Sequence, residues 1–202
     1  MIEMITLIGQ IILNMGRYLK GYTLFLCLCI LLAIPGIFPL STVIAMTILL
    51  LIMLPVGSIS PDMDQKDPSL SRRATVTARY LLVVLMALTG IVFGVTAGMF
   101  LSAAGTGEAA SALETVLLSL SVGLLIAGIL LPLNYHFGTQ QARRYLYPIV
   151  IIPMTVLLWR GRRAAEPDIL SAGRLCALSL SALGLSYLIS FRITAGDRSN
   201  SR

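Results

Sequence analysis

Between residues 21 and 57 the chain carries no charged side chain, and this run determines the solvent in which the protein folds. A single helix of 37 residues would be about 55 Å long at ~1.5 Å per residue, against a bilayer hydrocarbon core of ~30 Å. Pro35, Gly36 and Pro39 interrupt the run near its middle, where the chain can turn. Two short membrane spans are therefore predicted, at residues 22–38 and 40–56. The rest of the composition agrees: 57% of the residues are hydrophobic and 12% charged, whereas soluble domains carry roughly a quarter charged residues. A soluble chain of this size would have too much surface to cover with its polar residues. Lipid must solvate most of it.

Four further apolar runs, at about 80–101, 113–133, 145–159 and 169–191, complete an all-α membrane protein of six transmembrane helices spanning residues 21–191. Residues 1–20 differ in texture. Glu3, Thr6, Gln10, Asn14 and Arg17 recur at spacings of three and four, and Ile5, Ile8, Ile12 and Met15 fall on the opposite face. That pattern predicts an amphipathic helix lying in the membrane interface, the alternative being a frayed leader. The first cation, Arg17, follows the apolar stretch instead of preceding it, so a secretory signal peptide is not indicated. The long polar segment is 58–79, and a polar tail occupies 192–202.

Net charge is +6, but the cations lie between apolar runs, where they report topology and contact with anionic lipid, not with nucleic acid. With the N-terminus in the cytosol, eleven of the 15 Lys and Arg residues fall on the cytosolic side and four, Arg160, Arg162, Arg163 and Arg174, on or near the other. Both termini are thus predicted cytosolic, in a plasma membrane. The 160–168 connection runs against the rule locally. Either that hairpin is external despite its charge, or the segments on its two sides do not both cross.

No phosphate-binding G-x-x-x-x-G-K-[ST] and no zinc-binding H-E-x-x-H occurs, and His136 is the sole histidine. Asp62, Asp64 and Asp67 lie between Pro61 and Pro68 and are followed by arginines, unlike the membrane-embedded carboxylates that hold a catalytic cation. Cys27, Cys29 and Cys176 form no Cys-x-x-Cys pair. No catalytic, metal or cofactor site is expected. Apart from Glu114 and Arg174 near span edges, the spans contain no ionisable group of the kind that couples ion flow, so energy must come from outside the chain. Gly90, Gly94 and Gly98 form a doubled G-x-x-x-G ridge, and Ala182, Ser186 and Ser190 repeat the spacing. Such residues let helix backbones approach, either within the chain or at a dimer contact.

Three stretches carry a resemblance. Ser71-Arg72-Arg73, Val76 and Arg79-Tyr80-Leu81 resemble the loop after the second span of small type-2 permeases of ATP-binding-cassette transporters, which reads as an acidic pair and then L-P-x-S-R-[KR]-x-x-V-x-x-[KR]-Y-L. Asp62 and Asp64 stand in for the acidic pair, but Ser69 occupies the proline position and Pro68 comes one residue early. Leu131-Pro132-Leu133, Tyr135 and Phe137-Gly138, with Arg143 beyond, match that family's L-P-L-x-[FY]-x-F-G. Ser190-Phe191-Arg192-Ile193 is similar to its closing S-x-[KR]-I.

The resemblance implies a permease half that works with a separate ATPase subunit and with a second permease copy or paralogue. The interfacial helix and the 58–79 loop would press on the ATPase, with Asp62, Asp64, Asp67, Ser71, Arg72, Arg73, Arg79 and Tyr80 as the coupling residues. A loop so charged can make charge-assisted contacts with a soluble partner; it can also be a plain solvated connector. The expected function is export of hydrophobic or amphipathic cargo such as small peptides or antibiotics, the chain itself not being an enzyme. The alternative is an assembly or immunity factor that binds a partner within the bilayer.

Overall fold

In the hydrophobic runs 40–57 and 109–137 apolar side chains surround the whole circumference instead of forming one stripe, as expected of helices solvated by lipid. The structure, a computed structural model, describes residues 40–57, 72–103, 109–137 and 169–196, with the single positions Ile8, Gly9, Gly16, Lys20, Thr23, Leu24, Cys27, Leu31 and Arg144. The four continuous stretches are α-helices: α1, Leu40–Gly57; α2, Arg72–Ala103; α3, Ala109–Phe137; and α4, Ile169–Gly196. Those isolated positions apart, the helix expected over 1–20, the spans expected at 22–38 and 145–159, the loop residues 58–71, the 160–168 connection and the end of the tail lie outside the described residues.

Three helices contain segments long and apolar enough to cross a bilayer, Arg73–Phe100, Leu113–Phe137 and Leu170–Ile193, and α1 contributes the shorter Ser41–Val56. The helix ends differ from those read from charge. α2 begins at Arg72, so residues 72–79, expected in the loop, form its first two turns. Arg72, Arg73 and Ala74 are good helix formers. Charge ends the apolar run, and the helix continues past it.

α3 is central. It packs on α1, α2 and α4, most extensively on α4, while α2 meets α1 broadly and α4 over a smaller area. Ile48 and Ile52 of α1, Val83 of α2, and Val116, Leu120, Leu124 and Leu130 of α3 form the buried centre. Leu81, Val84, Leu85 and Val92 on α2, and Leu170, Leu178, Leu185 and Leu188 on α4, are exposed, an outward apolar surface that suits a hydrocarbon solvent. Several hydroxyls inside the helices are returned to their own backbones: Thr47 donates to the Val43 carbonyl at 2.7 Å and Ser121 to that of Leu117 at 2.6 Å. Among the described residues no buried side-chain nitrogen or oxygen lacks a partner.

Two close approaches set the spacing. A Cβ on Gly94 would run into Cγ2 of Val116, and one on Gly123 would come within 2.7 Å of Cδ1 of Ile52. Cross-helix contacts also give direction. On α2 and α4, Arg73 pairs with Phe191 and Thr77 with Tyr187; on α2 and α3, Arg79 pairs with Tyr135 and Gly94 with Val116. As the number rises on α2 it falls on its partners, so α2 is antiparallel to both. α3 and α4 are therefore parallel to each other.

Candidate functional site

Spacings of four and three residues along the first turns of α2 put Arg73, Thr77 and Tyr80 on one stripe, and that stripe faces the last turns of α4. The Arg73 guanidinium lies 5.0 Å from the centre of the Phe191 ring, a cation–π contact. Thr77 donates to the Arg73 carbonyl at 3.0 Å; its single proton spent, it accepts from the Tyr187 hydroxyl at 3.2 Å. The Tyr80 and Tyr187 rings meet edge to face at 5.3 Å, a favoured aromatic geometry. Arg79, about 100° further round, turns to α3. Only 3% exposed, it donates through Nη1 to the Tyr135 hydroxyl at 3.3 Å.

Tyr80 is the deepest member of the stripe. Its hydroxyl lies 2.6 Å from the Ser186 oxygen and 2.9 Å from that of Ser190. Ser186 in turn donates to the Gly128 carbonyl on α3. That carbonyl is available because of Pro132. Four residues on, it would normally donate its N–H to Gly128, and proline has none. In a lipid-solvated helix a freed carbonyl must find another donor, and a neighbouring serine is a usual source. With the Ser186 proton on Gly128, Tyr80 must be the donor to Ser186, and Ser190 holds the same phenol from one turn further along α4. The result is a directed chain, Tyr80 to Ser186 to the Gly128 carbonyl, crossing three helices.

The residues singled out in the sequence are distributed as follows. Asp62, Asp64, Asp67 and Ser71 lie outside the described residues. Arg72 is the first residue of α2, Arg73 is exposed, and Arg79 and Tyr80 are buried. Gly90 backs onto Ile48, with a built Cβ 3.2 Å from its Cγ2. Gly94 and Gly98 line, with Met99 and Val116, an apolar cavity of about 400 Å³ at the far end of α2. Arg79-Tyr80, Pro132 with Tyr135, and Ser190-Phe191 come from three distant stretches of sequence and meet at one end of the bundle.

The model of the ABC-2 family transporter protein matches residues 7–195, nearly the whole chain. This protein belongs to the ABC-2 transporter family. No curated protein and no solved structure matches it. As an ABC-2 chain it is a permease-type membrane component of an ABC transporter, and the family works in association with ABC ATPase subunits.

Within this ABC-2 permease, sequence reasoning missed Thr77, Gly128 and Tyr187, read Ser186 only as a small packing residue, and read Ser190 as a packing residue and a motif letter but not as a hydrogen-bonding partner. One signal was available. Pro132 inside an apolar helix announces an unpaired carbonyl at Gly128, which calls for a hydroxyl on a neighbouring helix.

Proposed function

We propose that this chain is the permease subunit of an exporter, driven by separate ATPase subunits and paired with a second copy or a paralogue. The observation that carries the reading is the convergence of the three motif stretches at the end of the bundle where α2 begins. The 58–71 segment enters there, so force on that segment reaches α2 first. Its three aspartates and the arginines at the head of α2 suit charge-assisted contact with a soluble subunit. ATP hydrolysis belongs to that subunit and not to this chain.

The same end carries Arg72, Arg73, Arg79 and Arg192, which supports a cytosolic assignment by the positive-inside rule. α3 and α4 both end on that side, which supports a return crossing between residues 137 and 169. The apolar run 145–159 is the candidate for the crossing, which supports six spans with both termini in the cytosol of a plasma membrane. Residues 1–20 would lie along the cytosolic interface. The outward apolar faces and the self-satisfied hydroxyls leave little to bind sugars or ions, and they favour hydrophobic or amphipathic cargo.

Deleting residues 62–71 should leave membrane insertion intact and abolish permease-dependent ATP hydrolysis by the co-expressed ATPase subunit. Co-purification of the two subunits should also weaken as salt rises from 0.05 to 0.5 M, since exposed charge contacts are screened. Full hydrolysis after the deletion would refute the coupling role. An assembly or immunity factor would show no ATPase association in the first place.

A further inference from the structure

We propose that the hydroxyl chain ending on the Gly128 carbonyl is the link within the membrane by which a displacement of α2 reaches α3 and α4. Tyr80 and Ser186 are its positioning residues, and Pro132 keeps its last acceptor open. The proposal rests on the permease reading above and adds the route that force takes after it arrives at α2.

α2 touches α4 far less extensively than it touches α1 or α3. Apolar contact alone would let the α4 end slide or tilt against α2. The polar contacts are concentrated where they prevent this. Tyr80 bonds two serines one turn apart, Ser186 and Ser190, so movement along the α4 axis breaks at least one bond. Ser186 is tied at the same time to Gly128, so α3 cannot move independently of the pair. The directed sequence of donors makes each bond depend on its neighbour, as polarised chains in low dielectric do.

Pro132 supplies the decisive test. In Pro132→Ala the new N–H can donate to the Gly128 carbonyl and compete with Ser186. As a helix substitution the change is favourable, because proline is among the worst interior residues. A proline serving only as a structural element predicts equal or better function. The link predicts the reverse: in the complete transporter in liposomes, permease-dependent ATP hydrolysis falls on the order of fivefold while the melting temperature holds or rises, the factor expected when one or two bonds in lipid are weakened. Tyr80→Phe should lower hydrolysis by a similar factor, with a modest fall in melting temperature from the bonds it removes.

On a Ser186→Ala background Pro132→Ala should cause no further loss, since both act on one bond. Nitroxide labels at Leu81→Cys and Arg192→Cys, with the native cysteines replaced, should keep one separation with and without ATP plus vanadate. In Tyr80→Phe that separation should shift by about 2 Å or more on trapping. Additive losses, full hydrolysis in both single variants, or a loss of activity in Pro132→Ala that comes with a lower melting temperature would each overturn the link. Failure of the unaltered chain to bind any ATPase subunit would overturn the permease reading itself, and the link with it.

Discussion

A Cβ placed on Gly94 meets the stiff, β-branched Val116, whereas one placed on Gly184 meets no atom within 4 Å. Alanine should therefore act with opposite sign at the two positions. Gly94→Ala forces Val116 or the helix spacing to give, at a cost of about 1–3 kcal/mol; Gly184→Ala gains up to about 1 kcal/mol of helix propensity. Thermal unfolding of the purified chain in one detergent measures both, and a stabilised Gly94→Ala would mean the helices are not held this close. Arg79 has a comparable role for charge. Buried against Tyr135, its guanidinium has geometry that a lysine lacks. Arg79→Lys should lower stability by about 1 kcal/mol or more, and Tyr135→Phe on that background should add little. Equal losses from Tyr135→Phe with Arg79 and with Lys at that position would show that the pair is not coupled.

At the scale of elements, α2 shows that the end of an apolar run and the end of a helix are separate events. The first turns from Arg72 are as helical as the lipid-facing turns around Leu88. Cysteine scanning with a membrane-impermeant maleimide should label Arg73→Cys and leave Leu88→Cys unlabelled. Labelling at both would place the water boundary deeper than the charges do. α3 shows what a proline can do inside a span. Pro132 lies five residues before the end of the helix, and its missing donor is replaced from another element, so a local defect becomes a point of attachment. The rank order of helix propensities sees only the defect.

At the scale of the whole molecule, the parallel run of α3 and α4 is the ground for the return crossing proposed between them. Cysteines at Gln140 and Ala164 should be labelled from opposite sides of a sealed vesicle, Gln140 from the cytosolic side. Labelling from one side would remove the fifth span and, with it, the six-span arrangement. With the fifth span in place, Arg160, Arg162 and Arg163 would be external against the usual charge bias, a local cost that the cations at the head of α2 and the end of α4 outweigh.

The membrane solvent, the helical class and the family were legible in the linear chain, because each rests on local quantities: charge-free runs of span length, and short motifs with fixed spacing. Arg79, Tyr80, Pro132, Tyr135 and Ser190 were visible as letters of those motifs. Their association was not, because Tyr80 and Ser186 are 106 residues apart, and no periodicity relates a hydroxyl on one span to a carbonyl on another. Tertiary packing alone decided which face of α2 meets α4, that Ser186 and Ser190 are hydrogen-bonding partners as well as small residues, and that the Gly128 carbonyl is capped. The physical reason lies in the solvent. Lipid rewards every apolar face about equally and so leaves helix order and rotation open, while an unpaired polar group in lipid is costly enough to select among the arrangements that remain.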